Sequence, residues 1–121
     1  MVRITNDHNY FMQLNEQRLK GTISPQKYQE EAKKGEALIS FIGMGGLLLL
    51  DINDTAFQLE RGDIILLCSD GLYRTLSEKE IQTVLQNYET AEEMSCCLNQ
   101  MLAGKASAIQ DNYTYIIIKK A

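Results

Sequence analysis

The sequence predicts an α+β fold in which antiparallel strands are covered by a pair of amphipathic helices, and three observations predict it. Ile64 to Cys68 is an unbroken apolar run of strand length, rich in branched residues, and reads as a strand buried on both faces. Ile81, Val84, Leu85 and Tyr88, then Ala91, Met94, Leu98, Met101 and Leu102, recur at helical spacing behind two capping boxes, Ser77 with Glu80 and Thr90 with Glu93. A last apolar run, Tyr113 to Lys119 with Ile116, Ile117 and Ile118 consecutive, reads as another buried strand. Helices with one apolar face need a sheet or another helix to bury it, and these two strands flank the helix pair in sequence.

Taken in order, Val2 to Thr5 alternates weakly and suggests a short strand leading into the turn cluster Asn6-Asp7-His8-Asn9. A strand that starts at residue 2, with no cap or turn before it, suits a chain that begins in mid-domain, and a native Met1 suits it equally. Phe11, Leu14 and Arg18 share one helix face over Tyr10 to Lys20, with Asn9 as cap and Gly21 as stop. Ser24-Pro25 opens a second helix, to about Lys34, with the cap residue followed by proline at the first helical position. Both helices are short of core residues and read as a surface excursion. Gly43, Gly45 and Gly46 match neither the phosphate-loop nor the dinucleotide spacing, so this stretch reads as flexible backbone. Leu47 to Ile52 and Thr55 to Leu59, joined by Asn53-Asp54, read as two strands of an antiparallel meander, and Glu60-Arg61-Gly62-Asp63 as the turn into the central strand. Lys105 to Gln110 reads as a loop.

Composition excludes several function classes. The chain's 121 residues suit one domain, and 12 Lys and Arg against 16 Asp and Glu give a net charge of −4 at pH 7. That balance argues against nucleic acid or an anionic membrane surface as partner. The longest apolar run is too short to span a membrane and the N-terminus lacks a signal-peptide core, so a cytosolic (cytoplasmic) protein is expected. Three cysteines without a Cys-x-x-Cys spacing predict free, mostly buried thiols and argue against zinc.

The residues with chemistry in them stand where the two core strands end. Asp70 leaves the first strand, with Gly71 beside it, and Asp111 leads into the last. If the strands are antiparallel neighbours, both carboxylates lie at one edge of the sheet. Hard oxygen donors without histidine or cysteine in the pattern favour magnesium or manganese. Asp-Gly and Asp-Asn are also ordinary turn dipeptides, and the residues alone leave both readings open.

The words Gly62-Asp63-Ile64-Ile65-Leu66-Leu67-Cys68-Ser69-Asp70-Gly71-Leu72, followed by the helix pair and then Asp111-Asn112-Tyr113-Thr114, resemble the C-terminal half of the metal-dependent PP2C (PPM) protein serine/threonine phosphatases in their bacterial form. Asp7-His8 and the polar helices after it are similar to the family's Asp-His and its variable flap, here about residues 9–46. The resemblance runs from Ile4 onward. It implies a partial PP2C-like α-β-β-α sandwich, antiparallel sheets with flanking helices, in which residues 1–121 are the C-terminal portion of a single domain. It further implies a centre of two or more Mn2+ or Mg2+ ions, with Asp70 and Asp111 as metal ligands and Ser69, Gly71 and Asn112 supporting them. The implied substrate is a phosphoserine or phosphothreonine protein, hydrolysed by a metal-bridged water in the manner of bacterial signalling phosphatases.

The sequence also departs from that pattern. The family's N-terminal half brings an Asp-Gly word with a glycine pair, an early acidic residue and a phosphate-binding arginine, and none is found here. Gly43-Met44-Gly45-Gly46 has no carboxylate, His8 does not match the family's catalytic histidine, and Arg74 reads as an exposed arginine near a helix. The first reading is therefore a truncated phosphatase domain, inactive or nearly so alone. The alternative is a non-catalytic degenerate module acting as a protein-binding or regulatory domain. Sheet faces and edges left uncovered by a missing half predict a homodimer.

Overall fold

A computed structural model describes residues 1–46, 49–52, 54–105 and 111–121. The chain divides into two units, Met1–Ala56 and Phe57–Ala121.

In the first unit, the capping signals place the helices. The Asn9 side chain accepts the Met12 N–H at 3.3 Å and opens α1 (Tyr10–Leu19), which ends before Gly21 in the left-handed region at φ +67°. Ser24 caps α2 (Pro25–Glu31) by accepting the Lys27 N–H at 3.2 Å, and a 3-10 turn, Ala32–Lys34, continues it. Leu14 is fully buried, and the Phe11 ring lies where a Cβ on Gly35 would stand. Polar contacts do the rest: the Arg18 guanidinium lies 5.2 Å from the centre of the Tyr28 ring, and the Tyr28 hydroxyl donates to Asn15 Oδ1 at 2.8 Å. The strand expected at Val2 to Thr5 does not form. Its residues are exposed and find no ladder partner among the described residues, and alternation alone does not make a strand.

The second unit is built on β1 (Ile64–Cys68) and β2 (Tyr115–Lys119), paired antiparallel from Ile64 opposite Lys119 to Cys68 opposite Tyr115. Gly62, at φ +92°, makes the turn into β1 as expected. Between the strands run α3 (Asp70–Thr75), α4 (Glu78–Asn87) and α5 (Ala91–Gly104). Ser77 and Thr90 form the two capping boxes read from the sequence. The helices cover one face of the sheet. Leu72, Leu76, Ile81, Val84, Met94, Leu98 and Leu102 form the core, with Ile64, Leu66, Tyr115 and Ile117 of the strands packed against it. Tyr115 is also tied down through its hydroxyl, 2.7 Å from Asn99 Oδ1 and 3.1 Å from the Ser95 carbonyl oxygen.

Three expectations are corrected here. The strands are not buried on both faces: alternate residues of the pair point away from the helices, leaving Leu67, Ile116 and Ile118 51%, 58% and 46% exposed. The meander does not form over residues 49–52 and 54–59, where Leu50, Ile52 and Phe57 are exposed and no strand pairs with them; Leu47, Leu48 and Asn53 lie outside the described residues. The thiols are free, but Cys68 and Cys96 are exposed and Cys97 half-buried. The described residues thus hold an α+β arrangement with one two-stranded antiparallel sheet and flanking helices, a partial form of the expected sandwich. None of the described helices is long and apolar enough to cross a membrane.

One ion pair closes the helix layer and generates a pH test. Lys105, just past α5, donates to Glu80 Oε1 at 2.7 Å, and the Ser77 hydroxyl and N–H donate to the same carboxylate. The Lys105 bond, then those from Ser77, bring the Glu80 pKa down from 4.5 to about 2. A carboxylate with a depressed folded-state pKa stabilises the fold above its unfolded value, and loses that contribution as pH falls from about 4.5 through about 2. Lys105→Met is expected to raise the Glu80 midpoint towards 4.5 in a carboxyl NMR titration and to flatten the acid limb of the stability curve; an unmoved midpoint would contradict the contact.

Candidate metal centre

The antiparallel register carries past the ends of both strands. The Ser69 N–H donates to the Thr114 carbonyl oxygen at 2.9 Å, and the Thr114 N–H donates to Ser69 Oγ at 3.0 Å. One residue further, Asp70 begins α3, and Gly71 is buried against the backbone of Asn112. A Cβ on Gly71 would overlap the Asn112 carbonyl oxygen, so only glycine permits this approach. Ser69, Gly71 and Asn112 therefore form the seam that joins the Asp70 segment to the Asp111 segment at one end of the sheet.

The two carboxylates differ in what holds them. Asp70 Oδ2 lies 3.5 Å from Arg74 Nε, one helical turn on, with the two side chains 41% and 48% exposed. Asp111 is exposed, and its Oδ1 accepts the Asn112 N–H at 2.8 Å, a turn-forming bond. Both present hard oxygen donors, which suits Mg2+ or Mn2+ in kind. Their number is short of a full sphere: among the described residues no group of three or more His, Cys, Asp or Glu side chains is assembled. Water or further donors would complete the coordination of an ion held here.

Two features escaped the sequence reading. Helix α3 is one: Asp70-Gly71 carries an ordinary turn signal, yet Leu72 and Leu76, both fully buried, stand at i, i+4 spacing and Ser69 takes the N-cap position. In the first unit, Asp51 accepts the Asn6 side-chain N–H at 2.9 Å and lies 3.3 Å from His8 Nε2. The Asn6 hydrogen bond, helped by His8, holds the Asp51 carboxyl below its ordinary range. Nothing local in the sequence links Asp51 to residues so far from it.

Comparison with known proteins then bears on the resemblance. No protein-family model matches the chain. It is 27% identical over 122 residues to the serine/threonine phosphatase stp of Listeria innocua serovar 6a, an alignment that covers 99% of this chain and 44% of the relative. Among solved structures, the S. agalactiae serine/threonine phosphatase matches with a TM-score of 0.68 at 24% identity, over 97% of this chain and 46% of that one. The chain therefore spans less than half the length of these relatives. It is similar to part of a serine/threonine phosphatase and takes a partial PP2C-like fold.

The Gly71–Asn112 contact is directly testable. Gly71→Ala is expected to lower stability by about 1–3 kcal/mol through overpacking, despite alanine's better helix propensity. Urea denaturation measures it. A neutral or stabilising result would mean that the two segments do not approach this closely.

Proposed function

We propose that this chain is the C-terminal portion of a metal-dependent protein serine/threonine phosphatase domain, spanning residues 1–121 with a flap-like segment at about 9–46. The single observation that carries the reading is the seam of Ser69, Gly71 and Asn112, which joins two aspartate-bearing segments at one sheet end. Similarity to part of a named serine/threonine phosphatase supports it.

In this reading, Asp70 and Asp111 are metal ligands for Mn2+ or Mg2+, two or more ions in the complete domain. When bound, such ions lower the pKa of water and stabilise the charge that develops in phosphoester displacement. The chain's own contribution is positional. The Ser69–Thr114 hydrogen bonds fix the backbone on which Asp70 stands, and Gly71 lets the Asp111-Asn112 segment come against it. The Asn112 N–H holds Asp111 Oδ1, leaving Oδ2 as the second donor. The substrate is a phosphoserine or phosphothreonine protein, met in the cytoplasm.

One observation favours a second reading, a non-catalytic module that keeps the scaffold and binds a partner protein: the described residues do not assemble three metal-ligating side chains. Mn2+-dependent hydrolysis of an aryl phosphate separates the two. The chain alone is expected to be inactive or nearly so. Mixed or co-expressed with the portion of the Listeria relative outside the match, it is expected to gain Mn2+-dependent activity. Asp70→Asn or Asp111→Asn should remove at least the roughly 10–100-fold that even an outer-shell partner is worth. Activity insensitive to both substitutions, or none in the mixture, would favour the module.

The uncovered sheet face of Leu67, Ile116 and Ile118 supports a further part of the reading, a homodimer. Sedimentation at tens of micromolar is expected to give a dimer mass; a monomer would rule it out.

A further inference from the structure

We propose that Arg74 is a resident counter-ion of Asp70, a positioning residue that holds the carboxylate while no cation is bound and that a divalent cation must displace. The inference rests on the reading of Asp70 as a metal ligand.

The geometry of α3 carries it. Asp70 and Arg74 stand one turn apart on the same helix face, with Nε 3.5 Å from Oδ2. Asp70 itself has little freedom to leave. Its backbone is held by the Ser69–Thr114 hydrogen bonds on one side and by the Gly71–Asn112 contact on the other. With that backbone fixed, the partner with more reach to give way is the arginine, which has a long flexible stem and is about half exposed. An exposed pair of this kind is weak enough to be broken and strong enough to be felt. While it lasts, the guanidinium cancels part of the negative potential that would attract a cation, so Arg74 lowers the affinity of the site. An arginine serving only the helix would act in the opposite sense, since its loss would loosen α3 and weaken binding.

The test is Mn2+ titration of the whole chain, with free Mn2+ followed by electron paramagnetic resonance and circular dichroism confirming the fold. Arg74→Gln is expected to tighten Mn2+ binding about two- to fivefold at low salt. Arg74→Lys keeps the charge and should stay close to the unsubstituted chain. The difference between the glutamine variant and the unsubstituted chain should shrink as salt screens the pair. Asp70→Asn, which should lose binding, reports on the underlying reading. If Asp70→Asn weakens binding but Arg74→Gln leaves it unchanged or weaker, the counter-ion role is overturned and the metal site stands. If neither the unsubstituted chain nor any variant binds Mn2+, or Asp70→Asn binds as well as the unsubstituted chain, the metal reading falls and the counter-ion falls with it.

Discussion

The antiparallel pairing of β1 with β2 is the constraint on which the second unit depends. Three helices separate the strands in sequence, so bringing them together carries the entropy cost of closing a long connection. Burial of Ile64, Leu66, Tyr115 and Ile117 under the helices offsets that cost. Once the pair is formed, its register dictates what happens beyond its end. Ser69 must meet Thr114 and Gly71 must pass Asn112, so the segments that carry Asp70 and Asp111 meet at one end of the sheet.

What was legible in the sequence is what is decided locally. The caps of α1, α2, α4 and α5 are written in a few adjacent residues, Asn9, Ser24, Ser77 and Thr90 with their partners, and each forms where it was read. The described stretches 49–52 and 55–59 are not the expected strands, because apolar strand-like residues say only what a segment does if a neighbour pairs with it. The Asp70 and Asp111 segments could be placed at one sheet end only as far as the two strands could be paired, since each lies near a strand end. The Arg74 contact could not be seen there, because it exists only once residues 70–75 are helical, and Asp-Gly signals a turn as readily as a helix start. The Asp51 cluster with Asn6 and His8 depends on long-range approach and left no local mark.

The sheet has two different faces. Toward the helices it is close-packed, with fully buried Leu72, Met94, Leu98 and Leu102 above it; on the other side Leu67, Ile116 and Ile118 meet solvent. Two strands alone are barely stable in water, so in this unit the helix layer holds the pairing as much as the pairing organises the helices. The continuous apolar run of β1 misled on this point. It describes a strand able to be covered twice, and the described chain covers it once.

Three successive isoleucines make β2 nearly blind to its own alignment. A slip by one residue in one direction would put Ile116 and Ile118 where Tyr115 and Ile117 now face the core, and apolar burial would scarcely notice. Tyr115 breaks the degeneracy. Its hydroxyl meets Asn99 and Ser95 on α5 only in the observed alignment, and the same slip would turn it away from both. The alignment of the strand is thus read out by a helix as well as by the sheet. Helix α5 therefore shares in setting where the last strand lies, and through it the position of the segment that carries Asp111.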